Sequence, residues 1–265
     1  MLFCGCATLS PPPAVATGVP SDHRLTATPF VISTSFPLDA NDSLVTGLND
    51  LREQVERELQ LPPSSRTIEI YVFDDRAVYD RFIQTNYPEL PRRRAFFIAQ
   101  DRREIVYAFR DDKLGEDLRH EATHAIVHAA VGRLPLWLDE GLAEYFETPA
   151  TAVGLHDRHL AELHKVMATG WRPSLTRLEA LTELTRMTGG DYREAWAWVY
   201  FLLNGPAEGR QLLLSYLRDR PTDEARGPLS ARLFAVTKRP DSAMLSFLSR
   251  LEPTRSTAAE SPPLR

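Results

Sequence analysis

Apolar and polar positions fall into two regimes along the chain. Thr28–Ser35 is an apolar, β-branched run that predicts a strand, and Asp42–Leu59 follows with Leu44, Leu48, Leu51, Val55 and Leu59 at helical spacing before Pro62 and Pro63 stop it. Thr67–Phe73 predicts a second strand and Arg76–Asn86 a short helix. Ala95–Ala99 and Glu104–Phe109 predict two more strands across a polar Gln-Asp-Arg-Arg turn. From Glu116 onward the period is helical: Glu116–Val131 ending at Gly132, a short helix over Leu138–Phe146, then Asp157–Ala168, Arg177–Arg186, Tyr192–Asn204, Ala207–Arg218 and two more up to Leu251. The pattern predicts an α+β fold, with a small N-terminal α/β lobe (23–115) built on a mixed sheet and a mostly helical C-terminal lobe (116–251). Residues 1–22 and 252–265 carry no periodicity and are expected to be a flexible leader and a flexible tail.

Composition narrows the function classes. The 265 residues are 43% hydrophobic and 25% charged, an ordinary globular balance. The net charge of -5, with Arg92-Arg93-Arg94 as the longest basic run, leaves no electrostatic footprint for nucleic acid. No apolar stretch approaches the roughly 20 residues that span a bilayer. The only cysteines are Cys4 and Cys6, so the body of the chain offers no thiolate, and any metal must be held by histidine and carboxylate.

That chemistry is offered by His120-Glu121-Ala122-Thr123-His124. On a helix, residues four apart project from one face about 6 Å apart along the axis, so two imidazoles there can grip a single ion. Glu121 points about 100° away from His120, beside the open side of such an ion, where it can hold a water without ligating the metal. A tetrahedral zinc site also needs a third protein ligand and leaves its fourth position to water. Candidates lie just downstream in Trp137-Leu138-Asp139-Glu140-Gly141-Leu142-Ala143-Glu144-Tyr145, where Glu140 and Glu144 stand one turn apart after a short 132–135 turn.

The His-Glu-x-x-His helix followed by Trp-x-x-Glu-Gly-x-Ala-Glu-Tyr resembles the gluzincin zinc metallopeptidases, in particular the bacterial peptidase-MA-like group. The resemblance implies Zn2+ held by His120, His124 and Glu140, with Glu121 as general base and acid, and an active site in the cleft between the lobes. It also implies that Glu144 orients the first histidine from behind. The interval from His124 to Glu140 is shorter than in the thermolysin-like and aminopeptidase branches, which points to the peptidase-MA-like group. A metzincin pattern requires Gly at 127 and His at 130, where this chain has Val127 and Ala130.

Peptide hydrolysis needs a donor for the developing oxyanion. Tyr192 opens a helix resembling the one that follows the zinc motifs in this group and is the expected donor, with Arg193 and Tyr200 as alternatives. His128 is expected to pack or to hydrogen-bond behind the ligands, and His156, His159 and His164 to be solvated surface residues. By the same resemblance, Glu104–Phe109 is expected to be the sheet edge along which a substrate peptide adds. The implied partner is therefore a peptide or protein substrate, with no obligate protein partner. The leader around Cys6, followed by Ser10-Pro11-Pro12-Pro13, resembles the end of a bacterial lipoprotein signal and implies membrane attachment through a lipidated Cys6. The expected location is the cell envelope, periplasmic or lipid-anchored, if the start is truncated, and the cytoplasm otherwise. A non-catalytic zinc-containing envelope lipoprotein acting as a scaffold is the alternative reading.

Overall fold

The computed structural model describes residues 16–100, 103–219 and 227–253. The proposed Cys6 anchor and the tail from 254 onward lie outside the described residues. The elements are β1 (His23–Ala27), β2 (Phe30–Thr34), α1 (Ser43–Leu59), β3 (Ile68–Phe73), α2 (Arg76–Asn86), β4 (Ala95–Gln100) and β5 (Arg103–Phe109). They are followed by α3 (Leu114–Val131), α4 (Leu136–Phe146), α5 (Asp157–Ala168), α6 (Leu175–Glu179), α7 (Gly189–Asn204), α8 (Ala207–Arg218), α9 (Leu229–Val236) and α10 (Pro240–Leu248). The fold is α+β: a mixed five-stranded sheet, then a helical region.

The strand order is β1-β2-β3-β5-β4, with β2, β3 and β5 parallel and the two outer strands antiparallel to their neighbours. Alternation along each strand sends side chains to two different cores. Ile70, Val72, Val106 and Ala108 face α1, α3 and the later helices, whereas Phe73, Ile105, Tyr107 and Phe109 face Tyr79, Phe82 and Ile83 of α2. The first of these clusters runs without a break from Phe30 to Leu248, so the two lobes share one core.

Helix boundaries follow their local chemistry. Asp42 caps α1 by accepting the Leu44 N–H, and Asp75 caps α2 by accepting that of Val78. Gly132, at φ 78°, ends α3 in a conformation that disfavours a side chain, and four residues later α4 begins. Among the described residues no helix is long and apolar enough to cross a membrane.

The strand expected over Thr28–Ser35 is β2, and it pairs in a hairpin with β1, which the sequence does not announce because its largely exposed His-Arg-Leu-Thr-Ala carries no apolar signal. Three expectations are corrected. Glu104–Phe109 is not the sheet edge, since β5 lies between β3 and β4 and the outer strand on that side is β4, with β1 at the other edge. The leader is not loose throughout: Ala16 and Val19 pack against the α2 cluster and Pro20 is buried. The helix expected over Arg177–Arg186 is the short α6 plus a separate 3-10 turn at Leu184–Arg186. Arg177 is tied to Asp191 (2.6 Å) and Glu194 (2.7 Å) on α7, and Glu194 also accepts the Ser174 N–H, so these ties fix where the helix starts.

Candidate metal centre

Helix α3 is wedged between the sheet and α4, and α4 between α3 and α7, which is why both are buried around most of their circumference. Gly141 allows the second contact. A Cβ there would stand 2.6 Å from the Ala195 carbonyl oxygen and 2.9 Å from Val199 Cγ2, so α4 meets the α7 backbone only because it carries a glycine at this point. The preceding residue, Glu140, is thereby set against the histidines of α3.

Donor atoms of His120, His124 and Glu140 lie within 4.8 Å of one another. Glu140 Oε2 is 3.6 Å from His120 Nε2 and 3.9 Å from His124 Nε2. These separations are too long for hydrogen bonds and close to the roughly 3.3 Å between neighbouring ligands of a tetrahedral zinc ion with bonds of about 2.0–2.1 Å. The opposite ring nitrogens are engaged from behind: His120 Nδ1 lies 2.9 Å from Glu147 Oε2, and His124 Nδ1 lies 3.0 Å from Asp139 Oδ1. Both Nε2 atoms are thus left to face Glu140, the arrangement that ligating histidines adopt. The three donors could hold a divalent metal ion.

Asp139 does further work. Its other oxygen lies 3.0 Å from His128 Nε2, so one buried carboxylate joins two imidazoles. Burial pushes the Asp139 carboxyl up, but His128 and His124 outweigh it and hold it well below the usual carboxylate range. His128 therefore hydrogen-bonds to the carboxylate that stands behind His124. Burial also raises Glu140, and His120 and His124 again bring it below its ordinary value.

The role expected of Glu144 is corrected. The carboxylate on His120 Nδ1 belongs to Glu147, one turn further along, whereas Glu144 Oε2 sits 2.7 Å from His159 Nε2. Nor are His156 and His159 solvated: their side chains are only 17% and 14% exposed, and His156 Nε2 lies 2.9 Å from Glu147 Oε1. His164 sits elsewhere, with Nε2 3.0 Å from the Leu248 carbonyl. Asp139 and Glu147 escaped the sequence reading, and His156 and His159 were misread as solvated, because their partners come from other elements. The one available signal was that Glu140 and Glu147, seven apart, share a helix face.

A cleft of about 770 Å³ opens over this cluster, lined by Arg93, Ala95, His120, Glu121, Glu147 and Tyr192 among others. Glu121 Oε2 accepts the Phe97 N–H of edge strand β4 at 2.7 Å. Tyr192 accepts from Arg93 Nη2 at 3.2 Å. Burial, and next the Glu140 carboxylate, push the Tyr192 hydroxyl up to about 12, so it stays a proton donor at neutral pH. Arg193 also borders the cleft, but Tyr200 packs among Trp196, Tyr145 and Phe247, away from it.

Residues 116–224 match a family model described as "Protein of unknown function (DUF1570)". No curated protein matches the chain. The matched span contains the two histidines, Glu121, Glu140, Glu147 and Tyr192, and leaves out the sheet and Arg93.

Proposed function

We propose that this protein is a zinc-dependent peptidase of gluzincin type, with His120, His124 and Glu140 as ligands. The observation that carries this reading is the convergence of those three donors, each imidazole backed by its own carboxylate, beside a glutamate that reaches the sheet edge. A zinc ion bound there supplies a Lewis acid that activates water and polarises a carbonyl. Glu121 takes the proton of the attacking water and returns it to the leaving amine. Its bond to the Phe97 N–H fixes the carboxylate next to β4, the outer strand on this side of the sheet, along which an extended peptide would pair. Tyr192 and Arg93, bonded to each other across the cleft, are the donors for the oxyanion, the guanidinium adding a fixed positive charge.

The test compares two glutamates by zinc content and by cleavage of an unstructured protein. Glu140→Ala should lose zinc and activity together, because two histidines and water hold the ion poorly. Glu121→Gln should keep near-stoichiometric zinc while cleavage falls by about 10²–10⁴. Full cleavage by Glu121→Gln sinks the mechanism, and a zinc-loaded wild type that cleaves nothing across a broad peptide library favours the scaffold.

A further inference from the structure

Beside the first triad the structure gathers a second. Glu144 on α4 and His156 and His159 at the start of α5 bring their donor atoms within 4.8 Å of one another. Glu144 Oε2 is 2.7 Å from His159 Nε2 and 3.9 Å from His156 Nε2, a spread like that around Glu140. The two imidazoles stack at 3.8 Å with their planes 14° apart, held against Trp196. They stand three residues apart, about one helical turn, and so look to the same side. The sequence conceals the set because its third donor comes from α4, and His164, which seems to belong with them, points to Leu248.

We propose that Glu144, His156 and His159 form a second divalent-cation site, suited to zinc, with Glu147 on the border between the two. Imidazole nitrogens with a carboxylate oxygen favour zinc and its neighbours over magnesium or calcium, which prefer oxygen alone. Hydrogen bonds between each histidine and a glutamate also hold this cluster together, and a cation replaces those bonds with bonds to itself. The cluster is accessible: Glu144 and His159 line the cleft over the first triad, His156 lines a second groove of about 810 Å³, and Glu147 borders both. His156 Nδ1 accepts the His159 N–H at 3.3 Å, a long cap that is easily given up when the ring proton moves to Nδ1.

Glu147 gives the second site its consequence. One oxygen sits 2.9 Å from His156 Nε2 and the other 2.9 Å from His120 Nδ1, so an ion that takes His156 Nε2 leaves the first oxygen facing the ion itself, and a bond formed there steadies the carboxylate that orients a ligand of the first site. The second site is a positioning site for the first. It stands on its own geometry and does not depend on the peptidase reading.

The experiment counts ions. Chelator-stripped full-length protein is refed with zinc chloride and desalted, and zinc per chain is measured by atomic spectrometry. Wild type should hold two ions, and His159→Ala and Glu140→Ala one each. In the Glu140→Ala protein, cobalt(II) should give visible absorption bands that adding His159→Ala removes. If circular dichroism shows His159→Ala misfolded, Glu144→Gln, nearly isosteric, takes its place. A wild type whose single ion is lost in Glu140→Ala and kept in His159→Ala overturns the proposal, as does a second-site variant that binds as much as wild type. Loss of an ion from His159→Ala but not from Glu140→Ala would uphold this site and remove the first.

Discussion

The His124 imidazole is flanked by two carboxylates adjacent in sequence: Asp139 immediately precedes Glu140, yet it faces the opposite side of the ring. Helical geometry makes this possible, since consecutive residues differ by about 100° around the axis. Asp139 holds Nδ1 while Glu140 faces Nε2. Removing that charge while keeping the shape tests the arrangement. Asp139→Asn should lower zinc affinity by about 10–100-fold, the range for a lost partner behind a ligand, as measured by competition with a chelating dye. An unchanged affinity would show that packing alone orients His124. At this scale the sequence disclosed the residues whose partners lie on the same helix, or on the next one after a short turn. His120, Glu121 and His124 share α3, and Glu140 follows within one turn of α4. It did not disclose Glu147, whose link to His120 depends on how α3 and α4 cross, nor Arg93, which reaches Tyr192 from a segment 99 positions away.

Two glycines in helices separate close packing from mere permissiveness. Gly141 leaves no room for a methyl group at the α4–α7 crossing, whereas a Cβ on Gly47 of α1 would meet nothing within 4 Å. Gly141→Ala should destabilise the fold by about 1–3 kcal/mol through overpacking, and it should also reduce zinc occupancy, because the shift falls next to Glu140. Gly47→Ala should stabilise by about 0.5–1 kcal/mol, the ordinary gain from replacing glycine inside a helix. Thermal melts of the two variants should therefore move in opposite directions, and a Gly141→Ala protein as stable as wild type would remove the close-approach argument. The elements themselves were legible wherever burial imposes a period. The 3.6 repeat gives α1, α3, α5, α7 and α8 to within a few residues, and the Arg76–Asn86 limits of α2 agree with the structure. Strand order was not legible, because β4 and β5 are both apolar and only long-range pairing places β5 inside. β1, exposed along much of its length, and the packed residues 16–20 carry too little apolar patterning to be read locally.

Across the whole molecule, the proposed zinc ligands lie on helices that sit on a single hydrophobic core, so a metal ion bound by them would act on global stability. Burial lowers the His120 pKa, but Glu140 and Glu147 outweigh it and raise it well above the ordinary value; His124 is raised by Asp139 and Glu140 in the same way. These signs fix the pH dependence. In the metal-free protein the raised histidines contribute stability that is fully present below their unfolded pKa of about 6.5 and fades as pH rises through the folded values. Zinc binds the deprotonated rings, so its affinity rises over the same interval. The gap between zinc-loaded and metal-free protein therefore widens as pH increases, through the rising affinity. With free zinc about 1,000-fold above Kd, binding contributes about 4.1 kcal/mol. At about 2–4 °C per kcal/mol for a chain of this size, that corresponds to a Tm difference of roughly 8–16 °C near pH 8, shrinking toward pH 6. Calorimetric melts of the two forms across that range check the expectation. Equal Tm values at the alkaline end, or a gap that narrows as pH rises, would show that the histidines and Glu140 do not share an ion.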